Sequence, residues 1–207
     1  MTNWTKTEIE FLKSFQSPWA IQGFLDSLIY NDEECCCSPR KVLLRNKAHC
    51  AEGAYTAASI LRFMGYSPRI VDLRAINDDD HLITVYQYGK EKKWGSLAKS
   101  NTTVLRSRDP VFKTLRELVM SYYQFYFNTN GEKSLISYSN PLLLTRFDSR
   151  AWEITEEDLD YIGQYIDKIF HHPILTADEK KIFPYASKDI VEACFMGAIE
   201  NGLFRPE

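Results

Sequence analysis

The strongest constraint in this chain is a change of period at Gly65. Upstream, "HCAEGAYTAASILRFMGY" (residues 49–66) reads as a helix from about Cys50 to Met64, and Gly65 suits the left-handed conformation that follows a helix end. Downstream, "SPRIVDLRA", "HLITVYQY" and "KKWGSLAKS" are rich in β-branched and aromatic residues, with the turn-like "GKEK" before the last. They read as strand, strand, hairpin, strand. Small residues at Gly53, Ala54, Ala57 and Ala58 leave that helix narrow enough to lie close against the sheet that follows it. The expectation is an α+β fold in which a cysteine-bearing helix packs on an antiparallel sheet.

Helices are expected at both ends. Residues 6–16 and 18–30 carry apolar residues at spacings of three and four, with Ser17 and Pro18 as cap and first-turn residue of the second helix. Ser38 and Pro39 repeat that start signal for a short helix through "RKVLLRN". The stretch "DPVFKTLRELVMSYYQFYFNTNG" reads as one helix capped by Asp109 and closed by Asn130 and Gly131, its aromatic stripe assigned to the core. Residues 134–147 add one or two strands, although Pro141 argues against a central one. The tail reads as helical, with segments in "TEEDLDYIGQYIDKIFHH", "TADEKKIF" and "SKDIVEACFMGAIENG". One domain over 1–207 is expected, with a catalytic-type core at about 38–147 and an appended helical layer at 148–207.

With 207 residues, 44% of them hydrophobic, the chain can bury a sizeable core. Its net charge of −3 is interspersed, which gives no footprint for nucleic acid or an anionic membrane. No stretch reads as a signal peptide or a membrane span, and a cytoplasmic protein is expected. Five cysteines, Cys35, Cys36, Cys37, Cys50 and Cys194, form an odd count with three in succession, which suits free thiols better than disulfides. Structural zinc prefers pairs two to four residues apart, and Asp78, Asp79 and Asp80 lack the spacing and glycine of a calcium loop, so no metal is assigned.

A thiolate at a helix N-terminus is favoured by unpaired backbone N–H groups and the helix dipole. The same N–H groups can receive an oxyanion. Cys50 occupies such a position and needs a base. His171 and His172 fall in the helical tail, and His49, adjacent in sequence, is expected to point elsewhere. His81 heads a strand of the expected sheet and is selected by elimination and topology. With the hairpin turn in Gly89 to Lys93, His81 faces a position between Ala98 and Asn101. There Asn101 is the first choice to orient the imidazole, and Ser100 the second.

These residues resemble the core of the transglutaminase-like superfamily, which shares a papain-like arrangement. The resemblance runs over about residues 38–105 and rests on Cys50 opening its helix, Leu61 with Arg62, Gly65, Arg69 with Val71, His81 and Trp94. It implies thiol-dependent amide hydrolysis or acyl transfer through a thioester on Cys50, with His81 as general acid and base. No cofactor is implied, and the substrate is a peptide, a protein or a small amide. The family's aspartate after the tryptophan is absent, since Leu97 and Ala98 stand there. The third role thus passes to Asn101 or Ser100, or is lost. The alternative is an inactive member of the same fold that serves as a ligand- or protein-binding module.

Overall fold

The computed structural model describes residues 4–176, 178, 179, 182 and 185–206. Helices α1 (Lys6–Ser14) and α2 (Pro18–Ser27) open the chain, capped by the side chains of Thr5 and Ser17. The short helix α3 (Pro39–Arg45) precedes α4 (Cys50–Phe63), and a two-stranded parallel pair, β1 (Ile29–Tyr30) with β2 (Lys47–Ala48), ties them together. Gly65 has φ +84°, and the N–H groups of Gly65 and Tyr66 donate to the carbonyls of Arg62 and Leu61, so α4 ends as its glycine predicts.

Beyond it lies an antiparallel sheet. Strands β3 (Arg69–Ala75), β4 (His81–Tyr88), β5 (Lys93–Leu97), β6 (Arg108–Phe112), β7 (Leu135–Ser139) and β8 (His171–Pro173) take the order β6-β5-β4-β3-β7-β8. The β4–β5 hairpin pairs Thr84 with Leu97 and Tyr88 with Lys93, inside the register window expected from its turn. Val71, Leu73, Ile83 and Val85 face helix α5 (Leu115–Tyr123) and Tyr126. Ile70 and Leu82 face α4 and the segment from Leu142 to Ile166, which includes α6 (Asp160–Ile166). A third cluster joins α1, α2 and α4. The sheet is therefore covered on both sides, and α4 is enclosed from Glu52 to Leu61.

The closest approach in this layer is at Gly53. A Cβ there would stand 2.3 Å from the Cβ of Lys99, so only glycine lets α4 meet the chain leaving β5. The buried Lys99 ammonium donates to the Leu28 carbonyl, and burial pulls its pKa down to about 8.

Two expectations fail, for identifiable reasons. Asp109 and Pro110 do not cap a helix but lie in β6, where Arg108 pairs with Ser96 and Phe112 with Trp94; the helix starts later, at the capping box of Thr114 and Glu117. Likewise, "HH" at 171–172 is not helical. It forms β8 on the edge beyond β7, and only Asp160–Ile166 of the preceding segment is helical. Helix α7 (Lys188–Phe195) lies within the last expected helix. Most of the expected "TADEKKIF" helix falls outside the described residues. No helix among the described residues is long and apolar enough to cross a membrane.

Candidate active site

Cys50 is the first residue of α4. The turn that presents it is fixed by Glu52, a buried carboxylate two residues on. Its oxygens accept from the Asn31 side chain at 3.0 Å and from the backbone N–H groups of Cys37 and His49, each at 2.9 Å. A carboxylate without those donors would be costly to bury; with them it clamps the β1 end, the cysteine run and the N-cap to one point.

The sulfur is half-buried and faces a cavity of about 620 Å³, whose walls include Tyr30, His49, Asp79, His81, Ser100 and Asn101. The carbonyl of Asp80 stands 4.0 Å from Sγ. Burial alone would push the thiol pKa up. Hydrogen bonding and charge from His49 and His81 outweigh it, and the Cys50 pKa lies well below its ordinary value. Two imidazoles, not one, thus serve this sulfur.

His81 is buried at the start of β4, and its Nε2 lies 2.9 Å from the Leu105 carbonyl oxygen. A carbonyl can only accept, so Nε2 carries the proton and Nδ1 keeps the lone pair that a base needs. The group that orients His81 is therefore a main-chain oxygen.

The expected orienters are placed otherwise. Extending the hairpin register sets Ser100 opposite His81, but β5 stops at Leu97 and the chain leaves the sheet. The Ser100 hydroxyl bonds the Thr102 hydroxyl at 3.1 Å and accepts from the Thr102 N–H. The Asn101 side chain takes both main-chain groups of Ile199, accepting from its N–H and donating to its carbonyl, each at 2.8 Å. Both residues line the cavity, yet their hydrogen bonds go elsewhere, and a 3₁₀ turn over Thr103–Leu105 brings the Leu105 carbonyl to the imidazole instead.

His49 also departs from expectation, because as N-cap residue of α4 it turns inward. Its Nδ1 accepts from the Ala51 N–H at 3.2 Å, and its Nε2 lies 3.1 Å from the Cys35 carbonyl. Against the penalty of burial, the Cys50 sulfur and Glu52 raise its pKa to about 9. A cationic ring cannot accept from Ala51, so the cap bond and the ion pair with the sulfur are alternatives. Sequence reasoning missed this because it treated adjacency as divergence, whereas an N-cap side chain folds back over its own first turn.

Sequence reasoning also missed Tyr30, whose phenol burial and the Cys50 charge hold above its ordinary pKa, leaving a neutral donor in the cavity wall. Asp79 is pushed up by burial and by the same sulfur. His171 and His172 serve other partners: the buried Asp72 at 2.9 Å and the Asn140 side chain at 2.8 Å.

The cysteine run gathers potential metal ligands as well. Cys35, Cys37 and Glu52 bring ligand atoms within 4.8 Å of one another. However, an Arg45 Nη lies 3.0 Å from the Cys37 sulfur and 3.5 Å from that of Cys35, and the Glu52 oxygens are engaged by N–H donors. A guanidinium already supplies the positive charge there. Compared with known proteins, the chain matches no family model, and no curated protein matches its sequence.

Proposed function

We propose that the chain is a transglutaminase-like thiol enzyme of papain-like architecture, which performs amide hydrolysis or acyl transfer through a thioester on Cys50. One observation carries this reading. A half-buried cysteine opens a helix on a cavity, and flanking imidazoles depress its pKa despite burial. Structural thiols are pushed the other way, as Cys36 is here by burial and nearby carboxylates.

In this reading the thiol proton passes to Nδ1 of His81, and the thiolate adds to the substrate carbonyl carbon. The displaced electron pair rests on oxygen, where the N–H of Cys50, which has no intrahelical acceptor, and the Tyr30 hydroxyl are the donors at hand. Collapse breaks the C–N bond, the amine leaves with the proton from Nδ1, and the acyl group stays on sulfur. Water or an amine, giving its proton to His81, then adds to the thioester and releases the sulfur as thiolate. Leu105 holds the ring through both steps as a positioning group.

The test is the rate of Cys50 alkylation by iodoacetamide against pH, read by peptide mapping. The expected profile keeps a substantial rate at pH 6, and His81→Ala moves its midpoint upward. A midpoint near the ordinary thiol value of about 8.5, unmoved by His81→Ala, would refute the activated nucleophile.

A further inference from the structure

The C-terminal segment walls part of the cavity of Cys50. Phe195, Asn201, Gly202, Leu203 and Phe204 form part of its wall, together with Tyr30, Asn31 and the Asp78–His81 turn. Three side chains hold the segment there. Asn101 reads both main-chain groups of Ile199 at 2.8 Å, Thr129 donates its hydroxyl to the Phe204 carbonyl at 3.1 Å, and Phe127 meets Phe195 edge to face at 5.9 Å. Between these anchors, Gly202 passes so close to Tyr30 that a Cβ would stand 2.6 Å from the ring.

The polar anchors contact main chain only. An amide side chain that satisfies one residue's N–H and C=O together binds any polypeptide backbone of suitable conformation, much as a neighbouring strand does. Selectivity is left to whatever side chains face the cavity.

We infer that Asn101 and Thr129 form a main-chain-binding wall of the Cys50 cavity, that residues Ile199–Phe204 occupy it as an intramolecular ligand, and that a polypeptide substrate takes the same wall when the segment leaves. This rests on the thiol-enzyme reading and adds to it a substrate class and a self-blocking contact. Asn101 then acts in binding, not in orienting His81, and the two roles predict opposite results.

The experiment uses the full chain and follows two readouts: amide hydrogen exchange over residues 196–206, and the rate of Cys50 alkylation at pH 7. In Asn101→Ala, loss of two hydrogen bonds of ordinary strength raises exchange over the segment by about fivefold or more. Alkylation of Cys50 rises with it. If Asn101 instead supported the imidazole, alkylation would fall while exchange stayed put, and that result overturns the proposal. Gly202→Val unseats the segment with Asn101 intact. A synthetic peptide of sequence IENGLF, added to that variant, is expected to slow alkylation again, and the same peptide with valine for glycine is not. Failure of the first peptide to protect, with the segment shown to be released, also overturns the proposal. The exchange readout does not depend on thiol chemistry. A Cys50 with ordinary reactivity therefore refutes the enzyme reading while leaving the occupied wall standing.

Discussion

At the residue scale the site is an arrangement of charge around one sulfur. Cys50 has a lowered pKa, and the His49 ring beside it is raised to about 9. The signs agree: each ion stabilises the other between the two values, and the pairing is lost as pH falls through the cysteine's pKa or rises through that of the histidine. His49→Gln removes the charge that this ring carries below its raised pKa. The midpoint of the Cys50 alkylation profile is expected to move up by about one unit, roughly 1.4 kcal/mol of lost charge stabilisation. In His49→Gln with His81→Ala it should approach an ordinary thiol. A single variant whose profile overlays the wild type would assign the effect to His81 alone. The positions of Cys50 at a helix start and of His81 at a strand start were legible, because both are local signals. The sequence did not show Glu52, His49 or Leu105 in their roles. Glu52 acts through backbone N–H groups, the His49 ring reaches the sulfur only because it folds back over its own helix start, and Leu105 acts through its carbonyl, which is common to every residue.

Among the elements, α4 was the most legible, since its small residues and glycine terminus point to one structure. The region from 108 to 123 was the least. Its apolar spacing fits a helix throughout, but pairing of Arg108 and Phe112 with β5 draws the first part into the sheet, and tertiary contact overrides a local period. The price of the close contact between α4 and the sheet is set at Gly53. Gly53→Ala gains helix propensity of about 1 kcal/mol in isolation. Here the added methyl meets Lys99, and overpacking is expected to give a net loss of about 1 to 3 kcal/mol, seen as a lowered midpoint in urea. A stabilised variant would mean that the layers separate freely. Because Gly53 lies on the turn that carries Cys50, the same variant should also slow alkylation.

For the molecule as a whole, carboxylates near the cavity make stability depend on pH in an unusual sense. Asp78 accepts from the Ser134 hydroxyl at 2.6 Å, yet burial, aided by Asp79 and Asp80, raises its pKa to about 6. A carboxyl with a folded pKa above its unfolded value of 3.8 favours folding at low pH, and that advantage fades as pH rises through 4 to 6. Asp78→Asn keeps an acceptor for Ser134 and removes the charge. It is expected to be more stabilising at pH 7 than at pH 4, by on the order of 2 kcal/mol, when denaturation midpoints are compared at both. An equal effect at the two pH values would show that the carboxylate is well solvated. The whole fold was readable as α+β with a helix on an antiparallel sheet. The walling of the cavity by Phe195 and residues 201–204 was not, because a contact between Asn101 and Ile199 has no signature in a single sequence.

The Leu105 carbonyl has a further consequence for how such a site drifts and how it is found. An orienting group carried by the main chain survives every side-chain exchange at its own position. It is silent in an alanine scan, and selection on the imidazole's pose acts on the shape of the 103–105 turn instead of the identity of any residue. Comparison by motif will count two members of this constellation and report the third as missing, whereas a backbone amide-to-ester exchange at 105–106, which weakens that carbonyl as an acceptor, would expose it.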